Sequence, residues 1–446
     1  MSLIARLPHI MEEGRKKYEE VLNQSFDYSL IEKIGQGENI LARGDNLSFM
    51  KYLMDEHEIK GKINLVYIDP PYFSRANYGT EIKLKSKKVK SGPVIKQRAY
   101  DDLWKNGIEE YLKMLIPRLY FIKDLIAVDG CVWVHLDWHS VHYIKIILDE
   151  IFGAENFINE VIWQYKSGGV SKRRFARKHD TLLFYGKSSD YYFMPQQEKS
   201  YNRGFKPYRF KGVAEYQDEQ GWYTMVNMKD VWQINMVGRT SAERTGYATQ
   251  KPEELLERIL KSCTRENDIC ADFFGGSGTL AATAEKMNRK WISCDMGNLA
   301  ILNTHKRLIG NNTKGYRLYE EVETFAPVNE SSPKIDLKLE ETPDKSKVYI
   351  KLNSYKIEDF SKVPVVEKQL SLIQEIMEED SLQFIDYWSV DTNYQGDEFK
   401  PQFLFSRDNG GIQQSCQVPM NQSGQIAVRV VDIFGNSSFF GVSDTF

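Results

Sequence analysis

The sequence predicts an α/β protein built on a doubly wound, mixed but mostly parallel sheet, with an inserted region and a C-terminal β-rich, sandwich-like domain. Three observations predict it. Continuous apolar runs such as Ile63–Ile68 and Cys131–Leu136 suit strands covered on both faces. Such strands alternate with amphipathic helical stretches through glycine-containing turns over residues 35–164 and again over 249–325. After residue 325 the pattern changes to short alternating pieces such as Ile426–Val431.

In chain order, residues 9–25 read as a helix, with Ile10, Tyr18 and Val21 set among charged positions. Asn39–Ala42 is a short strand ending at Gly44-Asp45-Asn46, and Leu47–Met54 is a helix. The strand Ile63–Ile68 runs straight into Asp69-Pro70-Pro71-Tyr72. The lysine-rich stretch 83–98 has no apolar period and is expected to be mobile. A helix over 108–127 turns at Asp129-Gly130 into the strand Cys131–Leu136, and a helix over 139–151 follows. Residues 165–248 break the rhythm, being rich in Tyr, Arg, Lys and Gly, with short strand candidates such as Thr181–Tyr185. Lys251-Pro252 then opens a helix whose first turn carries Glu253 and Glu254, favourable at the positive end of the helix dipole. Asp268–Phe273 is a strand, Phe274–Gly278 a tight loop, Thr279–Met287 a helix and Trp291–Cys294 the next strand. The chain therefore divides into a helical segment (1–34), a first α/β part (35–164), an insertion (165–248), a second α/β part (249–325) and a β-rich domain (326–446).

Composition bounds the function. A chain of 446 residues, 41% hydrophobic and 13% aromatic, can bury a sizeable core. No run approaches the roughly 18 apolar residues of a membrane span, and the N-terminus turns charged too soon for a signal peptide, so a cytoplasmic protein is expected. The five cysteines form no CxxC pair, which argues against zinc and against a disulfide framework. The net charge of −3 is unevenly spread. Residues 331–446 hold 11 Lys and Arg against 18 Asp and Glu, whereas the remainder is +4. Lys83–Arg98 has seven basic residues and no acid, and Lys166–Lys187 has seven with one acid, Asp180. Each run alone reads as a solvated loop or a phosphate contact.

Two short motifs carry chemistry. The loop Phe274-Gly275-Gly276-Ser277-Gly278, between a strand and a helix, lets a ligand approach the backbone closely. Asp272 ends its strand and can accept from an ammonium group. Asp295 ends the next strand after Gly278, where a carboxylate meets ribose hydroxyls. No Gly-Lys-Ser/Thr follows, so a nucleoside without a polyphosphate is the expected ligand. The tetrapeptide Asp69-Pro70-Pro71-Tyr72 combines an acid, two φ-restricted residues and an aromatic directly after a buried strand.

With these residues the sequence resembles the amino-methylating DNA methyltransferases. In that family Asp-Pro-Pro-Tyr grips an exocyclic amine and an F-x-G-x-G loop holds S-adenosylmethionine. Here the amine motif comes first and the cofactor loop follows far later in the chain, which is the order of the β class. Arg43-Gly44-Asp45-Asn46 and Thr249-Gln250-Lys251-Pro252 agree with it. The resemblance covers residues 35–310 and is nearest to modification subunits of type III restriction systems and related stand-alone adenine methylases. It implies a Rossmann-like, S-adenosylmethionine-dependent catalytic domain with the insertion as target-recognition region. It also implies double-stranded DNA as substrate, no metal, and a homodimer or a cognate restriction subunit as candidate partner.

The chemistry accounts for those residue types. The amine lone pair of adenine is delocalised into the ring. Hydrogen bonds from both amine hydrogens to Asp69 and to the Pro70 carbonyl favour a tetrahedral nitrogen whose lone pair points at the sulfonium methyl. The base lies inside the duplex and must be extruded, with Tyr72 placed to stack on it. Pro71 completes the catalytic set. On the cofactor side the resemblance implies Asp45, Lys251, Pro252, Asp272, Phe274, Gly275, Gly276, Ser277, Gly278, Thr279 and Asp295. Asp45 also reads as a helix N-cap, and Lys251 as a surface lysine. Phe273 and Gly275 depart from the family's usual proline and alanine, with little effect expected. Lys172, Arg173, Arg174, Arg177 and Lys178 are the candidate phosphate contacts, and the 83–98 loop is a candidate lid over the flipped base. Gln383–Asp391 and Val431–Asn436 resemble a β-sandwich extension of some such methylases. Asp at position 69 leans towards adenine N6. The alternatives are cytosine N4 methylation and a non-catalytic DNA-binding specificity subunit.

Overall fold

The computed structural model describes residues 2–74, 77–85, 93–166, 171–322, 334–343, 346–357, 363, 365, 369–408, 411–420 and 425–441. Helix α1 (Leu3–Leu22) leads into β1 (Tyr28–Gly35), β2 (Asn39–Arg43), α2 (Asn46–Glu56) and β3 (Ile63–Ile68). A hairpin of β4 (Asn77–Lys83) and β5 (Val94–Asp101) precedes α3 (Ile108–Leu125), β6 (Ile126–Leu136), α4 (Val141–Phe152), β7 (Phe157–Gln164) and β8 (His179–Gly186). The strands β9 (Gln197–Tyr201), β10 (Tyr216–Asp218) and β11 (Gly221–Asn227) form a small antiparallel sheet, and β12 (Val231–Gln233) returns to the main one. Then come α5 (Glu253–Cys263), β13 (Ile269–Asp272), α6 (Thr279–Lys286), β14 (Lys290–Asp295), α7 (Asn298–Gly310) and β15 (Gly315–Glu321). The C-terminal region contains β16 (Lys334–Glu341), β17 (Lys347–Lys356), α8 (Leu370–Asp380), β18 (Ile385–Tyr394), β19 (Phe403–Ser406), β20 (Ser415–Pro419), β21 (Gln425–Asp432) and β22 (Ser437–Gly441).

The main sheet runs β1-β15-β2-β14-β13-β3-β6-β8-β7-β12. From β15 to β6 every pairing is parallel, and β8 lies antiparallel between β6 and β7. Alternation along β3 decides which helices cover which face. Val66 and Ile68 pack with Leu53, Leu115 and Ile147 of α2, α3 and α4, while Leu65 packs with Leu256, Leu280 and Ile301 of α5, α6 and α7. The connections therefore leave β3 and β13 towards opposite faces. These two strands are parallel neighbours, in register Cys270↔Leu65 and Ala271↔Val66, so a crevice opens beyond their C-terminal ends. No helix among the described residues is long and apolar enough to cross a membrane.

Three expectations are corrected. The 1–34 segment is not only helical, because Tyr28–Gly35 adds an edge strand antiparallel to β15. The insertion does not begin cleanly at 165: β8, buried along almost its whole length, belongs to the main sheet. Part of the 83–98 stretch is ordered, with residues 86–92 outside the described residues. Its apolar members Leu84 and Ile95 are buried in the core of the C-terminal region, with Val348, Trp388 and Val430. No local apolar period exists because the partners lie near the other end of the chain.

The C-terminal region is two antiparallel sheets, β16-β17-β20 and β19-β18-β21-β22, around one apolar core, as a sandwich requires. It grips the hairpin through backbone groups. Lys85 N–H donates to Gln383 Oε1 (2.5 Å) and Gln383 Nε2 donates to the Lys85 carbonyl (2.7 Å). Gln369 pairs likewise with Lys96 N–H (3.2 Å) and the Val94 carbonyl (3.0 Å). It also docks on β1, where fully buried Glu32 accepts from Arg429, from Ser389 Oγ (3.0 Å) and from Tyr387 Oη (3.2 Å).

Candidate active site

The crevice holds a cavity of about 400 Å³, lined from both halves of the sheet. Asp69, Pro70, Pro71 and Tyr72 follow β3 and form one wall. The Asp69 carboxylate is held at both oxygens: Tyr72 Oη donates to Oδ1 (2.5 Å) and Lys251 Nζ pairs with Oδ2. Lys251 is thus a cation of the cavity wall rather than a surface lysine, its side chain only 9% exposed. Its ammonium also lies 5.2 Å from the Tyr72 ring centre. Burial pushes the Tyr72 phenol far above its ordinary pKa, with the Asp69 charge adding to it.

The turn after the tetrapeptide is constrained. Phe73 adopts a left-handed φ of 65°, a costly conformation for a bulky residue. Asp102, fully buried at the end of the hairpin, holds it there. Its carboxylate accepts from Phe73 N–H (3.0 Å), Ser74 N–H (2.6 Å), Ser74 Oγ (2.6 Å) and Trp104 Nε1 (2.7 Å). Thr249, ahead of Lys251, is also left-handed at φ 60°.

Opposite stands the glycine loop. Gly276 (φ 49°) and Gly278 (φ 69°) take backbone conformations that L side chains rarely adopt. Gly275 is less tolerant than the sequence suggested, since a Cβ there would lie 2.4 Å from Ser293 Oγ. Asp295 fastens the loop by accepting from Gly276 N–H (2.8 Å) and Gly297 N–H (2.7 Å). Asp272 accepts from Phe274 N–H (2.9 Å). Burial raises both carboxyls above the ordinary range; for Asp272 the rise is large, and the charges of Asp69 and Asp295 add to it. Ser277 and Thr279 are bonded to each other (2.9 Å), and Thr279 Oγ1 donates to the Lys251 carbonyl (3.1 Å), which ties the two halves together.

Of the sequence-predicted residues, Asp69, Pro70, Pro71, Tyr72, Lys251, Asp272, Phe274, Gly275, Gly276, Ser277, Thr279 and Asp295 line one cavity. Gly278 supports the loop from behind, Pro252 precedes α5, and neither lines it. Asp45 is set back: it caps α2 through Leu47 N–H (2.7 Å) and holds Arg118 with both oxygens (3.0 and 2.9 Å). The sequence did not reveal Arg118, which lines the cavity and reaches Asn46 Oδ1 (2.5 Å). Nor did it reveal Asp102, or the chain behind Tyr72 in which Tyr67 Oη meets His135 Nδ1 (2.8 Å) and His135 Nε2 meets Asp180 (3.3 Å). Asp180 is the lone acid in its basic run, which was the available signal. Lys172, Arg173, Arg174 and Arg177 are exposed between β7 and β8, with Lys178 half-buried beside them.

A half-buried carboxylate held by a lysine thus faces, across this cavity, a glycine loop with two left-handed residues. The family comparison decides the type of site, because the DNA methylase model of the N6/N4 methyltransferases matches residues 63–304, both walls included. The chain belongs to the N6/N4 DNA methylase family. This DNA methylase is 25% identical over 277 residues to the type II methyltransferase M2.DpnII of Streptococcus pneumoniae, covering 61% of the chain and 90% of that relative. It is 25% identical over 276 residues to the type II methyltransferase M.HpaI of Haemophilus parainfluenzae, covering 62% and 77%. Among solved structures it is similar to the cytosine-N4-specific PvuII DNA methyltransferase, at 16% identity and a TM-score of 0.41 over 63% of this chain and 90% of that one. Both sequence relatives are named as type II enzymes, so the expected likeness to type III modification subunits is not carried by them.

Proposed function

We propose that this DNA methylase transfers the methyl group of S-adenosylmethionine to N6 of a target adenine extruded from duplex DNA, within a short specific sequence. The observation that carries the reading is the Asp69 carboxylate, fixed between Lys251 and Tyr72 and facing the glycine loop across one cavity.

The donor set fits the cofactor. S-adenosylmethionine, when bound, supplies an electrophilic methyl on a sulfonium centre. Asp295 keeps lone pairs for ribose hydroxyls beyond its two amide bonds, and Asp272 offers a buried acceptor to the ammonium. The glycine loop excludes side chains from the approach.

This chain's residues then act on the amine. Each Asp69 oxygen retains a second lone pair after its bonds to Tyr72 and Lys251, so it can accept from the exocyclic N–H. The Pro70 carbonyl takes the other hydrogen, and neither Pro70 nor Pro71 has an N–H to compete. Loss of planarity frees the nitrogen lone pair, and Asp69 stabilises the positive charge that grows on nitrogen during transfer. Tyr72 and Trp104 supply apolar surface for an extruded base. Lys172, Arg173, Arg174, Arg177 and Lys178 bind phosphates beside the cavity.

The deciding experiment is modification-aware sequencing of DNA from a methylase-free bacterial host expressing the wild type or Asp69→Ala. N6-methyladenine in one short motif, with the wild type only, is the expected result. N4-methylcytosine instead would overturn the base assignment, and no modification with either protein would overturn the activity.

A further inference from the structure

Phe175 is 98% exposed, the most exposed large apolar side chain among the described residues. Leaving such a side chain in water forgoes the favourable burial of its apolar surface. Its neighbours Lys172, Arg173, Arg174 and Arg177 are exposed cations. The segment is nevertheless anchored. The Arg177 guanidinium lies 3.3 Å from the Trp138 ring centre, Trp138 sits 3.6 Å from the His139 ring, and Tyr165 N–H donates to the Lys178 carbonyl (3.0 Å).

Those anchors place Phe175 at the catalytic edge. Trp138 follows the C-terminal end of β6, which pairs with β3 just before Asp69. Asp180 touches His135, whose ring lies 5.9 Å from that of Tyr72. Phe175 lies five positions before Asp180, a reach of at most about 18 Å. Phe210 (61%), the next most exposed phenylalanine of the insertion among the described residues, belongs to the loop between β9 and β10, strands of the separate small sheet.

We propose that Phe175 is the wedge that enters the base stack and fills the space left by the target base. The inference rests on the reading that the base is extruded. Unstacking and unpairing cost a few kcal/mol, and an apolar wedge inserted between bases offsets that cost through its own burial. The flanking cations hold the phosphates on either side and fix the depth of entry.

The test uses full-length protein and duplexes carrying the sequence it modifies, with the target either normally paired or opposite an abasic site. Phe175→Ala is expected to slow single-turnover methylation of the paired duplex about tenfold or more, equivalent to about 1.4 kcal/mol per decade. On the abasic duplex, where no partner base holds the target, it is expected to match the wild type, and Phe175→Trp to retain activity on both. Equal losses on the two duplexes, or no loss on either, would overturn the wedge. A wild type inactive on every duplex, while S-adenosylmethionine still binds, would instead overturn the functional reading beneath it.

Discussion

Replacing Gly278 by alanine separates two reasons for a glycine at the end of the loop Phe274–Gly278. The residue has φ 69° and ψ 26°, a left-handed conformation that costs a residue with a Cβ about 1–2 kcal/mol. The new methyl would also lie 2.5 Å from Thr304 Oγ1 and 2.7 Å from its Cγ2, on α7. Such overpacking costs a further 1–3 kcal/mol or so, giving about 2–5 kcal/mol in all. Gly276 is the internal control. Its φ is 49°, but its nearest neighbour would be 3.6 Å away, so Gly276→Ala carries the conformational cost alone. Denaturant unfolding is expected to show Gly278→Ala as the more destabilised by at least about 1 kcal/mol, and adding Thr304→Ala to recover part of its loss. Calorimetry should show weaker S-adenosylmethionine binding for both variants, Gly276→Ala because its methyl faces the cavity. Equal losses at the two glycines, or no recovery with Thr304→Ala, would refute the steric argument and leave backbone conformation as the whole cause.

Burial raises the Asp272 pKa, so below that pKa the carboxyl must give up a proton before it accepts from a ligand ammonium. S-adenosylmethionine affinity is therefore expected to rise with pH, with proton release seen as a buffer-dependent binding enthalpy, and Asp272→Asn to remove that dependence. Removing one partner of the buried Glu32–Arg429 pair leaves the other charge uncompensated, so Glu32→Ala should cost about 3–5 kcal/mol in unfolding, and Glu32→Met with Arg429→Met much less. Leu84→Ala, at the hairpin position buried in the C-terminal core, should cost about 2–5 kcal/mol of docking. Hydrogen exchange should then accelerate in β4 and β5 but not in β3 or β13; unchanged exchange would mean that the C-terminal region does not hold the hairpin.

What could be read from the sequence were the features whose causes are local. A buried strand must be continuously apolar, and a backbone that turns through the left-handed region needs glycine, so both show as patterns. Asp69 and the glycine loop were legible for that reason, as was Asp272 at the end of its strand. Asp102 was not: it is an ordinary acid in Tyr-Asp-Asp-Leu-Trp, and most of its donors come from a turn 28 or 29 residues earlier. Arg118 was hidden in the same way inside an amphipathic helix, and Asp45 offered two readings that only its bonds to Leu47 and Arg118 distinguish.

The hairpin shows most clearly why charge patterning misled. Its lysines suggested a mobile lid, yet Leu84 and Ile95 are ordered by a core that the chain supplies only near its C-terminal end. That arrangement has a mechanical consequence. Asp102 follows β5 directly and fixes Phe73 and Ser74, the residues next to Tyr72. The C-terminal region holds the far end of the same hairpin through Gln383, Gln369 and Leu84. The C-terminal region, none of whose described residues lines the cavity, thus shares the hairpin with the turn after Tyr72, and its grip on the hairpin is through apolar and backbone contacts, which its acidic balance of −7 over residues 331–446 does not oppose.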